Sequence, residues 1–531
     1  MLRKKALLSG GVDAIDIQPL RAHNSVMLTM PPAGNCRIRR VGSLAGVLAL
    51  ACLVLAAVSA RAAEEPGRID PRIVHVVSRL TYGPTPGGLE RVAAMGADAF
   101  IAAQLAPDNL VDPPALAEKL AALPTESMDT VRLFREYGPT VATDAKDAKP
   151  GPDAMRQVFD RAEVAALEAA RARLLRAIWS PRQLNELMVA FWCEHFSLGA
   201  QKGLARLWEG SFEREAIRPH ALGRFADLLA ATARHPAMLI ARGNWKNVVH
   251  RQGAGPSKDA IDPSYAAMLL AHQTLGPSGP QKPADTLALA RILTGWRVGA
   301  SRGAADSGGF YFDVDLHDPS DKTLLGQPIK GSGLGEGAAA LDLLAAHPAT
   351  ARNIARKLVV YFLADDPPAP LVARVAEAFT KSGGDIRETL RALFQSPEFY
   401  DPKYMGNRFK PPLRQVVSAV RATGVGPGDT TALAGVLAGL GQPFYAADGP
   451  EGYATASGAW LKPDAVVRRV TFAGDLAAGR IPGVKPDKPS AKALAATIGP
   501  DVDAHTCGVA EKAGGAVGAA VILAAPESMR Y

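Results

Sequence analysis

The chain has 531 residues, 48% hydrophobic and 21% charged, with 51 Gly, 41 Pro and four Cys. That composition excludes a disordered, collagenous or disulfide-framework protein and leaves ample length for a large core. The formal net charge of +8 is no nucleic-acid signal, because residues 1–62 carry eight Lys/Arg against two acids and the remainder is nearly neutral, with no basic patch for DNA, RNA or anionic lipid.

In chain order, the first element is a small-and-apolar run from Val41 to Val58. Arg37, Arg39 and Arg40 precede it, and Ala60-Arg61-Ala62 follows. This is the pattern of a secretory signal peptide cleaved after Ala62. An uncleaved anchor helix is the alternative, since the run approaches spanning length. Met27 and Met30 are better-placed starts than Met1. The expected mature chain is periplasmic or secreted, has no membrane span, and keeps only Cys193 and Cys507, whose pairing their separation does not decide.

The body reads as helical. Val164, Leu167, Leu174, Leu175 and Ile178 form one stripe. Ser180-Pro181-Arg182-Gln183 reads as an N-cap, a proline at the first helical position and a capping-box Gln. The next helix places Leu184, Leu187, Met188, Phe191 and His195 on one face. Asp262-Pro263 starts another, with Tyr265, Met268, Leu269 and His272 on one face and Gly276 as its stop. Leu289, Ile292, Leu293 and Trp296 repeat the spacing, Asp385 with Glu388 caps the helix bearing Ile386, Leu390, Leu393 and Phe394, and Ser396-Pro397 starts a further turn. Alternation of Phe310, Phe312, Val314 and Leu316 with polar residues predicts a strand, with Lys322 to Ile329 as its hairpin partner. The fold class is therefore mainly α: one large multi-helix domain with a small β hairpin around 310–330. The expected organisation is a leader at 1–62, a helical domain at 63–484, and a linker and C-terminal tail at 485–531. Breaks rich in Pro, Gly and Ala lie near 138–152, 299–309 and 482–500.

Ten segments together carry a resemblance. They are RLTYGPTP (79–86), FWCEHF (191–196), AIRPHALGRF (216–225), HPAML (235–239), ARILTGW (290–296), LHDPSDKTLLG (316–326), HPATARNIARKL (347–358), QSPEF (395–399), LGQPF (440–444) and AW (459–460) before Arg468-Arg469. In this order and spacing the chain resembles the bacterial exported family known as domain of unknown function 1800, from about His75 to Phe472, with an echo at Ala525-Pro526-Glu527. The resemblance implies a largely helical exported protein and transfers no activity.

Departures from the family pattern are informative. The family's Tyr-Leu-Asp-Asn stretch is here Ala241, Arg242, Gly243 and Asn244. In its polar helix, Pro263, Met268 and Ala271 stand where Glu is expected, Ala267 for Arg, and Gln273 for His. The Asn before the motif His is Glu194. The scaffold is present and most of the polar cluster is not, as in a diverged member.

The remaining polar residues give a candidate pocket of His195, Glu194, Arg218, His220, Trp296, Arg297, His317, Asp318 and Lys322. Cys193-Glu194-His195 offers metal-ligand types, but residues two apart on a helix do not share a face. His195 on an apolar stripe also reads as a buried, hydrogen-bonded side chain. A Cys193–His195 nucleophile pair fails on the same geometry. His317-Asp318 with Lys322 sits in a turn, where a ligand-facing site and ordinary Asp-Pro-Ser-Asp capping both fit. Arg218 and His220 flank Pro219 at a helix start, and Trp296 with Arg297 offers stacking or core packing. No Walker motif or GxSxG elbow appears. The expectation is an exported binding or envelope-associated protein, with an envelope protein or polymer as partner and no cofactor or metal. The alternative is a secreted metal-dependent or hydrolase-like enzyme using His195, His317 and Asp318.

Overall fold

The computed structural model describes residues 69–139, 152–199, 204–249, 260–299, 308–487 and 489–531. The leader, including the 41–58 run, lies outside the described residues, as do most of the 138–152 and 299–309 breaks. The described chain is mainly α-helical, with two small two-stranded antiparallel sheets.

The long helix Pro152–Trp179 shows how the core is chosen. Leu174, Leu175 and Ile178 are buried, as their spacing predicts. Val164 and Leu167 instead stand exposed at 46% and 39%, while Ala162, Ala165, Ala166 and Ala169 face inward. Small residues win that face because a neighbouring segment crosses closely: a Cβ added to Gly210 would lie 2.8 Å from the Ala169 side chain.

The start at Ser180 also departs from the capping-box pattern. The helix runs Gln183–His195, with Arg182 as a cap position whose side chain makes no capping bond and donates instead to the Leu110 carbonyl at 2.7 Å. Ser180 Oγ accepts from the Arg182 amide at 3.1 Å and donates to Asp112 at 2.6 Å. Gln183 donates to the Ser180 and Ala177 carbonyls, and its own carbonyl oxygen accepts from the Tyr82 amide at 3.0 Å. A polar residue suited to local capping is used for a long-range tie. The five residues predicted to face the core from this helix are all buried.

Two π-helical segments, Phe212–Ile217 and Leu269–Thr274, continue short α-helical turns without a break. Such bulges rotate later side chains relative to an α-helical register. They place Glu213, His272 and Gln273.

The strand at Phe310–Phe312 pairs with Trp296–Val298, in register Trp296 to Phe312. The predicted pairing with 322–329 is corrected: Lys322–Leu324 and Gln327–Ile329 pair with each other. The turn between them has Leu325 and Gly326 both at positive φ, 51° and 76°. Two left-handed central residues suit a tight hairpin. Leucine is a poor residue for that conformation. Here the Asp285 carboxylate accepts from the Leu325 amide at 2.7 Å and holds the turn.

Residues beyond 485 do not form an extended tail. Helices Ala491–Ile498, Ala504–Ala513 and Gly515–Ala524 pack together, and the last of these packs on Pro463–Ala477. The final residues pair with Arg408 to Lys410, through Tyr531 N to Arg408 O at 2.9 Å and Lys410 N to Met529 O at 2.8 Å. Tyr531 is buried as a result.

Candidate functional site

The nine sequence-derived pocket residues separate into distinct places. His317, Asp318 and Lys322 do meet, and a residue absent from the sequence reading, Glu336, completes the group. Helix Leu334–Ala346 brings Glu336 inward at 0% exposure. His317 Nδ1 lies 2.8 Å from the Thr294 carbonyl, and its Nε2 meets Glu336 Oε1. Lys322 donates to Glu336 Oε2 at 2.8 Å and to the Asp318 carbonyl. Both ring nitrogens of His317 face oxygen acceptors, so the two contacts are hydrogen bonds only if His317 and Glu336 share an extra proton. Asp318 accepts from the Ser320 amide and hydroxyl at 3.0 and 2.7 Å, with Arg291 3.8 Å away. Burial works against its charge, but Ser320, Lys322 and Arg291 outweigh it and hold the carboxyl below its ordinary value. The group is an internal charge network whose polar atoms are occupied by protein.

His195 sits in a second network. Its Nδ1 accepts from Lys357 Nζ at 3.1 Å, and its Nε2–H donates to the Gln273 carbonyl at 3.0 Å. Phe191, Trp192, Phe196 and Phe225 wall the ring. Burial, and then Lys357, push the imidazole well below its ordinary value, so the ring is neutral. Burial also pushes Lys357 down to about 8, with Glu451 opposing. Gln273, at the position where the resemblance offers His, has a buried Oε1 without a hydrogen-bond partner and an Nε2 4.0 Å from Met238 Sδ.

Cys193 belongs to a third. Its thiol lies 3.8 Å from Glu213 Oε2, and burial pushes it up, which leaves no thiolate for nucleophilic work. Burial would raise Glu213 too, but Arg173, Arg218 and Arg176 hold it at about 2. Arg218 donates to Glu186 at 2.6 Å and Glu213 at 2.7 Å, and Tyr445 donates to Glu213 at 2.8 Å. Arg218 also borders a surface cleft of about 320 Å³ together with Arg182, Asn185 and Arg214. His220 is half-buried on the next turn. Trp296 is wholly buried with the Arg234 guanidinium 5.7 Å over its ring, and Arg297 donates to the Trp245 carbonyl at 2.6 Å. Neither frames an open pocket.

Glu194 points another way. Its carboxylate accepts from the Tyr453 amide at 2.9 Å, and burial raises its pKa. Gly452, at φ +72°, is obligatory there: a Cβ would lie 2.5 Å from the Glu194 carbonyl oxygen. Glu194 forms one wall of a cavity of about 50 Å³ that Arg173, Arg408, Arg414, Tyr453 and Tyr531 also line. The guanidiniums of Arg79, Arg408 and Arg414 surround the Tyr531 ring at 4.8, 5.7 and 4.0 Å. All three are buried, and Nε and Nη1 of Arg79, Nε and Nη1 of Arg408, and Nε of Arg414 have no hydrogen-bond partner. Cation–π contact gives roughly 2 kcal/mol at best per pair when desolvated. Burying an ion costs several kcal/mol. Ring stacking alone does not offset three buried cations. The sequence reading missed this cluster because its members come from residues 79, 408, 414 and 531, with no local motif.

A larger space of about 650 Å³ lies between residues 477 and 516, with Lys492 and Glu511 the charged lining residues among those described. Among the described residues no three His, Cys, Asp or Glu side chains group as a metal set, and Cys193 and Cys507 are unpaired. No helix among them is long and apolar enough to cross a membrane. No curated protein and no solved structure matches the chain. Residues 75–530 match the model of a family described as protein of unknown function, DUF1800, and the chain belongs to that family.

Proposed function

We propose that this chain is an exported, non-catalytic binding protein of the cell envelope. The observation that carries the reading is that His195 and His317 are closed into separate buried networks with no common partner. A hydrolytic centre needs titratable groups that converge on one substrate with an unoccupied position between them. Asp318, the third residue of the enzymatic alternative, is used by Ser320, Lys322 and Arg291. Export rests on the arginines at 37–40, the apolar run and the Ala60-Arg61-Ala62 site. The partner is an envelope protein or polymer.

Two measurements test this. A fusion of residues 1–70 to a reporter crosses the inner membrane, and the mature protein begins at or next to Ala63. Elemental analysis of the purified mature chain finds no stoichiometric transition metal. One equivalent of metal that disappears in a folded His195→Ala variant would replace this reading with the enzyme.

A further inference from the structure

We propose that the cavity bounded by Arg408, Arg414 and Tyr531 is a binding site for a small oxyanion, a short-chain carboxylate or a tetrahedral anion such as phosphate. The proposal deepens the binding reading, on which it rests, by naming a ligand class.

Charge is the first argument. Buried arginines are ordinarily paired, and a guanidinium presents five donors in a fixed fork that matches oxyanions. Arg408 spends Nη2 on Asp365, 3.0 Å away, and on the Thr455 carbonyl, while its Nε and Nη1 have no partner. Arg414 spends Nη2 on the carbonyls of Arg79 and Thr81, and its Nε has none. Arg79 adds a third cation behind the Tyr531 ring. Against these stand Asp365, partly exposed, and Glu194, whose carboxyl is already committed to the Tyr453 amide. Arg173, on the same wall, has its own partner in Glu213. Among the described side chains the cavity therefore has a surplus of buried positive charge.

Geometry is the second. A guanidinium stacked on an aromatic face leaves its N–H edges free for in-plane acceptors. The Arg414 guanidinium lies 4.0 Å from the Tyr531 ring centroid and also hydrogen-bonds its hydroxyl, while the Nε of Arg414 and the Nε and Nη1 of Arg408 have no partner. Size is the third. A volume of about 50 Å³ gives room for roughly four waters. An acetate, phosphate or sulfate occupies a comparable space. Access is the fourth: Ala454, on the cavity wall, is exposed, so the site reaches solvent beside Ala454 and Thr455.

The test uses the whole mature chain in chloride buffer at constant ionic strength. Sodium acetate, phosphate and sulfate are titrated by calorimetry and by thermal denaturation. One of them binds saturably at one site per chain and raises Tm. A response to acetate alone identifies a carboxylate ligand, and a response to phosphate or sulfate a tetrahedral one. Arg408→Gln weakens that binding about tenfold or more. Ala190→Val, which narrows the cavity without touching a charge, also weakens it, and the exposed Arg132→Gln does not. Saturable binding of none of the three anions overturns the proposal, as does binding that survives both cavity variants. So does an ultraviolet titration in which Tyr531 is ionised at neutral pH, with the signal lost in Tyr531→Phe, since a phenolate would then neutralise the arginines. Failure here leaves the export and metal results standing. Failure of the binding reading would show as metal or turnover dependent on His195 or His317, with the anion titration unchanged.

Discussion

Lys357 and His195 meet at 3.1 Å across 162 residues of sequence, the ammonium donating to a ring nitrogen inside the aromatic core. The contact joins helix Pro348–Phe362 to the end of helix Gln183–His195. It makes the histidine a structural acceptor and leaves no lone pair for substrate. His195→Ala creates a cavity and removes one partner of a buried ammonium, which retains the His272 carbonyl at 3.0 Å. The expected loss is about 2–4 kcal/mol. Lys357→Met removes the buried charge as well and costs less, and the double variant costs less than the two single effects added. Urea unfolding of the four proteins measures this. Additive losses would show that the pair is not coupled.

Acid sensitivity follows from three buried histidines. Burial lowers His75 and His235 to about 3, and His195 well below its ordinary value. Arg79 adds to the effect at His75, Arg214 at His235 and Lys357 at His195. A histidine with a folded pKa below its unfolded value of about 6.5 lets the unfolded chain bind more protons. Its contribution is full above about 6.5 and is lost as pH falls toward 3, at up to about 1.4 kcal/mol per pH unit for each residue. Tm therefore drops between pH 6 and pH 4. His235→Asn keeps an acceptor for the Ala237 amide, which His235 Nδ1 now serves at 3.2 Å, and removes one titrating group. Its slope of stability against pH is shallower by one proton. An unchanged slope would mean that His235 is not buried in its neutral form.

What the sequence made legible was periodicity. The buried face of helix Gln183–His195 and the Asp385 cap, whose carboxylate accepts from the Glu388 amide at 2.9 Å, follow directly from residue spacing, whereas the expected helical stripe Leu289–Trp296 ends at Ile292 and Trp296 opens a strand. What it hid was decided by tertiary contact. Alanines displace Val164 and Leu167 from the core face because a close crossing favours small residues. Gln183 reaches Tyr82, 101 residues away. The strand 310–312 finds a partner earlier in the chain. The same division holds at the site. His317, Asp318 and Lys322 lie within one motif and meet in the fold, while Glu336 stands in a plain helix. Arg408, Arg414 and Tyr531 carry no motif at all, and only the fold brings them together.

Asp285 supports the hairpin turn from a distance. One carboxylate oxygen accepts from Leu325 N at 2.7 Å and the other from Lys282 N at 2.8 Å. Asp285→Ala leaves two amides without these acceptors and costs about 2–3 kcal/mol. Asp285→Asn retains one carbonyl oxygen and falls between the two. Denaturant midpoints rank the three proteins. Equal midpoints for Asn and Ala would show that the left-handed Leu325 turn does not depend on the carboxylate.

The Glu336 network separates a structural role from a catalytic one. Glu336 is wholly buried and bonded to His317 and Lys322 at once. Removing it strands a buried ammonium, and breaking one member of a buried charge set costs about 3–5 kcal/mol. Glu336→Gln is therefore expected to lower Tm sharply. Glu336→Leu combined with Lys322→Met removes both charges and recovers much of the loss, because no buried ion is left without its counter-ion. A catalytic carboxylate behaves in the opposite way. Its Gln variant stays as stable as the parent, and adding the Lys322→Met change restores nothing. Thermal denaturation of the single and double variants distinguishes the two roles without a known substrate. A stable Glu336→Gln protein would reopen the His317 group as an active site.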